Sequence, residues 1–212
     1  MNSQITTLGA HQLPQAIELF SSVFGHPVTE SQWLWKYQLG PRLGSLNLVA
    51  HNSQGELVGH FGAMAFPGVV DGRSHVMVQT CDMMVHPHAR GGLETEGLYA
   101  RLMEGLRTTL RSAYPHAYVF GFAGPRPAKL AQRMGFYRAL YNVHEGHFSG
   151  SAHPQSPWGL KVGCDADWDP ERIGRLWNRV GKYSLAPRVA RSAAYMHWRY
   201  RDKPQFQYRL WI

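Results

Sequence analysis

The segment at residues 79–102 constrains this chain most, because it joins a strand pattern to a helix pattern through a basic, glycine-containing turn. Apolar, β-prone residues occupy positions 76–85, His86-Pro87 interrupts them, and Arg90-Gly91-Gly92 follows before a helical pattern begins. Glycines let backbone amides approach a phosphate closely, and the N-terminus of a helix favours negative charge. The segment therefore predicts a site for a phosphate-bearing cofactor across residues 83–98.

The composition is that of a globular protein. Of the 212 residues, 44% are apolar and 17% are charged. The N-terminus lacks the basic and apolar regions of a signal peptide, and His60 with several Gly and Pro residues interrupts the longest apolar run, at 57–70. We therefore expect a cytoplasmic protein that does not span a membrane. Cys81 and Cys164 support neither a disulfide framework nor a metal site, so no metal is expected.

The chain is basic, with a net charge of +8, and its arginines are scattered rather than gathered in a block. An ordinary basic surface explains this pattern, and so does an acidic small partner such as a nucleotide, a phosphorylated sugar or CoA. A basic protein associated with nucleic acid is a third possibility, but no recognised nucleic-acid-binding motif accompanies the charge.

Hydrophobic periodicity predicts alternating strands and helices of a mixed α/β fold. The predicted strands are 4–8, 46–51, 57–66, 75–85, a buried strand at 117–122, and 138–148. The predicted helices are 14–24, 31–38, about four turns from Leu98, and 127–134. Asn52-Ser-Gln-Gly55 predicts a hairpin turn between the second and third strands.

Three motifs in this order resemble the GNAT acyltransferase superfamily. They are V-x-P-x-x-R-G at Val85–Gly91, a helix closed by Met134-Gly135-Phe136, and G-x-L-V-G at Gly55–Gly59. The resemblance covers residues 4–148. It implies a mixed, mostly antiparallel central sheet flanked by helices, in an acyl-CoA-binding domain of residues 1–150.

The resemblance also implies a reaction, the transfer of an acetyl group from acetyl-CoA to a primary amine of a small molecule, without a metal. The cofactor would lie where the strand at 82–85 diverges from the one at 117–122, with its pantetheine arm bonded to backbone like an added strand. The residues expected to bind it are Met83, Met84, Val85, Arg90, Gly91, Gly92, Gly97 and Leu98.

Two departures from the family pattern leave a second hypothesis open. In the R-G-x-G motif of the family, one residue separates the two glycines. Here five residues, two of them acidic, separate Gly91 from Gly97. The tyrosine that protonates the leaving thiolate in many members is replaced by Ala131. The alternative is a degenerate GNAT module that binds CoA or a protein partner without catalysis.

Two residues are candidates for the general base. Asp82 lies on the cofactor strand just before the turn, although its carboxylate could instead be held by loop amides. His60 lies on the neighbouring strand, and histidine titrates near neutral pH. A base is needed because the attacking amine must lose a proton.

The C-terminal part of the chain repeats patterns from the N-terminal part. Pro170 and Gly181 lie 156 positions after Pro14 and Gly25 in similar helix patterns, and Trp198-Arg-Tyr lies 163 positions after Trp35-Lys-Tyr. We predict a partial GNAT-like repeat at 159–212 that docks on the first domain or on another chain, which would allow a homodimer. The stretch resembles two-module GNAT proteins of bacterial surface-polysaccharide clusters, which suggests an amino-sugar acceptor.

Overall fold

The structure is a computed structural model that describes residues 4–90, 97–140, 143, 164–165, 168–181 and 186–211. Its strands are β1 Gln4–Thr7, β2 Gly44–His51, β3 Leu57–Val70, β4 Arg73–Val85, β5 Tyr118–Gly121, β6 Cys164–Asp165, β7 Arg188–Val189 and β8 Leu210–Trp211. Its α-helices are α1 Leu13–Phe24, α2 Glu30–Tyr37, α3 Leu98–Ala113, α4 Pro125–Arg133, α5 Pro170–Gly181 and α6 Ala193–Met196, and a π-helical turn, His197–Arg201, follows α6. None of the described helices is long and apolar enough to cross a membrane.

The central sheet has the order β1-β2-β3-β4-β5, and β7 pairs with the far end of β3. All of these pairs are antiparallel except β4–β5, which is parallel, so the predicted mixed, mostly antiparallel sheet is confirmed. The long β3–β4 hairpin closes through Asp71 and Gly72, whose φ angles are 48° and 72°. Two consecutive positive φ angles are what a tight type I′ hairpin turn requires.

Helices cover both faces of the sheet. On one face, α1 and α2 bury Leu19, Trp33 and Trp35 against Met64 and other apolar residues of the strands. On the other face, the predicted leucine ladder of α3 buries Leu102, Leu106 and Leu110. β3 is buried from Leu57 to Phe66 because both of its faces are covered.

Two predicted strands differ from the structure. β5 was predicted to be buried, but Tyr118 is 42% and Val119 is 46% exposed. β5 pairs with β4 over four residues only and lies at the edge of the described sheet. Residues 138–140 form no strand, and the remainder of the strand predicted at 138–148 lies outside the described residues, apart from Val143, which is not in a strand.

The described C-terminal segment packs on α2 through a reciprocal pair of tryptophans. The indole N–H of Trp35 donates to the Trp198 carbonyl at 2.7 Å, and that of Trp198 donates to the Trp35 carbonyl at 2.8 Å. The two rings stack with centroids 5.2 Å apart. A Cβ on Gly40 would overlap the Trp198 ring, so a glycine is needed here. The two tryptophans occupy corresponding positions of the repeated sequence pattern.

We expect this tryptophan pair to be energetically coupled. A double-mutant cycle of Trp35→Leu and Trp198→Leu, measured by urea unfolding, should give a coupling energy of about 1 kcal/mol, because the two stacked indole rings contact each other directly. In the matched cycle, Trp198→Leu is replaced by Trp177→Leu, since the Trp177 ring lies against Arg188 instead. That cycle should be additive to within about 0.5 kcal/mol. Equal coupling in both cycles would contradict the assignment.

Candidate functional site

A β-bulge in β4 sets the geometry of the site. Across the β3–β4 ladder, Gly62 faces Cys81 and His60 faces Met84, so two residues of β4 oppose one residue of β3. Asp82 lies in the bulge with a φ of 49°, in the left-handed region that aspartate tolerates better than most residues. Because of the extra residue, Cys81 and Asp82 both project towards α2.

β4 separates from β5 immediately before the bulge. The two strands pair from Met77 opposite Tyr118 to Thr80 opposite Gly121. Within the described chain, residues 81–85 of β4 have no strand partner on that side. The separation leaves a cleft in which an extended ligand can bind to the backbone as an added strand.

The hydrogen-bond pattern identifies the backbone groups of β4 that face this cleft. The His86 amide donates to the Val58 carbonyl at 2.8 Å, and bonded pairs alternate along an antiparallel ladder. Met84 therefore bonds to β3, whereas Met83 and Val85 direct their amides towards the cleft. Of the three residues predicted to bind the cofactor on this strand, Met84 is placed differently, because it is fully buried and its backbone is used within the sheet.

Two neighbouring residues at the end of α2 hold the Asp82 carboxylate. Lys36 Nζ lies 2.7 Å from both carboxylate oxygens, and the Tyr37 hydroxyl donates to Oδ2 at 2.7 Å. The Asp82 side chain is 11% exposed, so the ion pair is partly shielded from water. Oδ1 receives one of these three hydrogen bonds and Oδ2 receives two. Oδ1 is therefore the oxygen with more capacity to accept a further hydrogen bond.

Tyr37 is a neutral donor in this arrangement. Its hydroxyl also lies 3.3 Å from the Cys81 sulfur. Burial, followed by the proximity of Cys81 and Asp82, raises the pKa of Tyr37 well above its usual value. Burial likewise raises the pKa of the Cys81 thiol to about 11, so the thiol is not an activated nucleophile.

His60, the second candidate base, lies in the interior beside the bulge. Its side chain is fully buried, and its Nδ1 lies 2.8 Å from the Asp82 carbonyl. Burial lowers its pKa to about 4, so the ring is neutral and Nδ1 donates to that carbonyl. Nε2 lies 3.0 Å from Asn47 Oδ1. With its single proton on Nδ1, the neutral ring cannot donate to this oxygen, so the Asn47 amide must turn its NH2 group towards Nε2 to form a hydrogen bond. The Nδ1 bond and the full burial of the ring favour a role in holding the bulge over direct contact with a substrate.

A tyrosine hydroxyl lies at the point where β4 and β5 separate. The Tyr137 hydroxyl is 2.6 Å from Thr80 Oγ1, and Thr80 pairs with Gly121, the last residue of β5. Burial raises the pKa of Tyr137, so the phenol keeps its proton at neutral pH. Ala131, which replaces the family's tyrosine, is fully buried in the core between the sheet and α3.

The predicted phosphate turn is described only in part. Gly97 precedes α3 with extended backbone and Leu98 begins the helix, so the first-turn amides of α3 lie at this end. Arg90 Nε donates to the Val85 carbonyl at 3.0 Å, so the guanidinium folds back on β4. Gly91 and Gly92 lie outside the described residues.

Sequence reasoning missed Lys36 and Tyr37. They are distant from Asp82 along the chain, and only the folding of α2 over the bulge brings them together. The available signal was the repetition of Trp-Lys/Arg-Tyr, which marked this triplet as structurally constrained. In the described residues, no group of His, Cys, Asp and Glu side chains could hold a metal ion.

The buried His60 should make stability depend on pH in a defined direction. Its folded-state pKa of about 4 lies below the ordinary 6.5, so its contribution is present above pH 6.5 and is lost as the pH falls towards 4. The loss should be about 3 kcal/mol. Urea unfolding at pH 7 and 4.5 should show a smaller pH effect in His60→Gln than in the wild type. The exposed His26→Gln should retain the wild-type effect, and an unchanged pH effect in His60→Gln would contradict this account.

Comparisons with known proteins agree with this geometry. The profile of the acetyltransferase (GNAT) domain family matches residues 4–139. No protein with a curated description matches significantly.

Three solved structures illustrate the likeness in fold. An acetyltransferase of Trypanosoma brucei has a TM-score of 0.53 and 18% identity, with 69% of this chain and 100% of that chain covered. Glucosamine-6-phosphate N-acetyltransferase of Arabidopsis thaliana has a TM-score of 0.52 and 13% identity, with 70% and 99% covered. An aminoglycoside acetyltransferase from an uncultured soil metagenomic sample has a TM-score of 0.51 and 15% identity, with 70% and 100% covered.

The family match and the fold therefore agree. The same span of residues carries the bulge, the open strand β4 and the start of α3, which are the features on which the candidate site depends. Because the matched region is more than half of the chain, the protein belongs to the GNAT acetyltransferase family.

Proposed function

We propose that this protein transfers an acetyl group from acetyl-CoA to a primary amine of a small molecule. The observation that carries the proposal is the bulge at Asp82, because it begins where β4 leaves β5 and directs a carboxylate to the α2 side of the opening. Acetyl-CoA supplies the activated acetyl group when bound. The residues of the chain provide binding, orientation and proton transfer.

The donor site is proposed along β4 and the start of α3. The Met83 and Val85 amides face the cleft and suit an extended pantetheine arm. We assign the pyrophosphate to Arg90, Gly97 and the Leu98 amide at the start of α3. The sequence prediction adds Gly91 and Gly92, which lie outside the described residues.

Asp82 is the proposed general base, acting through Oδ1 on the attacking amine directly or through one water. Lys36 and Tyr37 fix the position of the carboxylate, and His60 donates to the backbone carbonyl of the bulge. His60 is thereby assigned a positioning role. An amino sugar is our narrower proposal for the acceptor, supported by the resemblance to two-module GNAT proteins.

Exchange of Asp82 for asparagine tests the assignment, since asparagine tolerates the same backbone and cannot take the proton. We expect kcat/KM for acetylation to fall by about 10²–10⁴-fold, while calorimetric titration gives a Kd for acetyl-CoA unchanged to within about twofold. Asp71→Asn, at a second left-handed aspartate in the hairpin turn, is the matched control and should retain activity. Activity of Asp82→Asn within threefold of the wild type would refute the role of Asp82.

Tyr137 is the proposed proton donor to the departing thiolate, in place of the tyrosine that Ala131 replaces. Its neutral hydroxyl at the β4–β5 separation supports this role. Tyr137→Phe should lower kcat by about 10²-fold and remove the alkaline limb of its pH profile. Tyr118→Phe, on the exposed edge of β5, should leave kcat and its pH profile unchanged. If the alkaline limb of the pH profile is unaltered in Tyr137→Phe, this tyrosine is not the proton donor and only packs in the core.

The degenerate module is the second candidate function. Lys36 neutralises the Asp82 carboxylate, and this contact favours a site that binds without turnover. Micromolar binding of acetyl-CoA without acetylation of any amine in a broad panel would support this candidate over the enzyme.

A further inference from the structure

The interface between α2 and the C-terminal segment carries an excess of positive charge, because its cations outnumber the carboxylates around them. Arg42 Cζ lies 5.4 Å from the centre of the Trp198 ring, and Arg199 Cζ lies 5.9 Å from that of Trp35. Lys36 is already paired with Asp82. Among the described residues, no carboxylate forms an ion pair with either arginine.

Arg42 contributes a charge that the protein itself leaves under-compensated. One nitrogen donates to the Trp35 carbonyl at 3.1 Å, but Nε and Nη1 are buried without a hydrogen-bond partner in the described structure. Burial lowers the pKa of Arg42 to about 10, so it remains a cation at neutral pH. A buried guanidinium with open donors is costly, and a nearby anion reduces that cost.

Arg199 occupies the position that corresponds to Lys36 in the repeated pattern, 163 residues later. Both residues are half-buried, but Arg199, unlike Lys36, forms no hydrogen bond within the described residues. Its guanidinium lies against the ring of Trp35, and the next residue of α2, Lys36, pairs with Asp82. A cationic residue of the C-terminal segment therefore lies against the end of α2 that holds the candidate base.

We propose that Arg199 binds an anionic group, a phosphate or a carboxylate, of the amine acceptor, and that the C-terminal segment thereby completes the acceptor site. This inference rests on the proposed acetyltransferase function. The region is net positive, because it holds three cations, Lys36, Arg42 and Arg199, and one carboxylate, Asp82. This charge favours an acceptor that carries an anion as well as an amine. A guanidinium binds either oxyanion through two parallel hydrogen bonds.

Matched pairs of acceptors test the proposal. Comparison of glucosamine 6-phosphate with glucosamine tests for a phosphate site, and comparison of lysine with cadaverine tests for a carboxylate site. We expect the wild type to prefer the anionic member of at least one pair by about 10–100-fold in kcat/KM, as for hydrogen bonds to charged groups. Arg199→Gln should reduce that preference to within about threefold, and Arg199→Lys should retain part of it.

Arg201→Gln is the matched control, because Arg201 lies on the same π-helical turn and is paired with Asp202. It should keep the wild-type preference. A preference for the neutral amines, or an anionic preference that survives in Arg199→Gln, would overturn the anion site while leaving the acetyltransferase function intact.

The failure of the proposed function gives a different result. If no amine is acetylated, that function is overturned, and calorimetric titration with inorganic phosphate decides the role of Arg199 separately. Phosphate binding at least about tenfold weaker in Arg199→Gln than in Arg201→Gln would support the anion site. Equal phosphate binding by the two variants would overturn it.

Discussion

The left-handed backbone at Asp82 is the constraint on which the site depends. One extra residue in β4 turns two consecutive side chains to the same face and coincides with the point where β4 leaves β5. The strain of that conformation is modest for aspartate. It is also offset by three contacts, from His60 to the Asp82 carbonyl and from Lys36 and Tyr37 to its carboxylate.

The short helix α2 links this bulge to the C-terminal segment. Three consecutive residues form this link. Trp35 is hydrogen-bonded to Trp198, and Lys36 and Tyr37 are hydrogen-bonded to Asp82. A displacement of the C-terminal segment would therefore be transmitted through the last turn of α2 to the candidate base. The tryptophans of the repeated sequence pattern contact each other across this junction.

The sequence predicted the parts of the fold that follow from local patterns. Apolar periodicity and turn chemistry were sufficient for β2, β3, β4 and α3. The choice of Met83 and Val85 as cofactor-binding backbone came from the family resemblance and stays a prediction. Features that depend on distant contacts were not predictable. These include the exposure of β5, the burial of His60 within a strand covered on both faces, and the partners of Asp82, which arrive from a helix 46 residues away.

Backbone NMR during a titration with CoA tests most directly whether the backbone of β4 beyond the bulge is open to the cofactor. The amide resonances of Met83, Val85 and the first turn of α3 should shift most, and that of Met84 should shift little because its amide is used within the sheet. Saturating CoA that leaves the Met83 and Val85 amides unshifted would contradict the account.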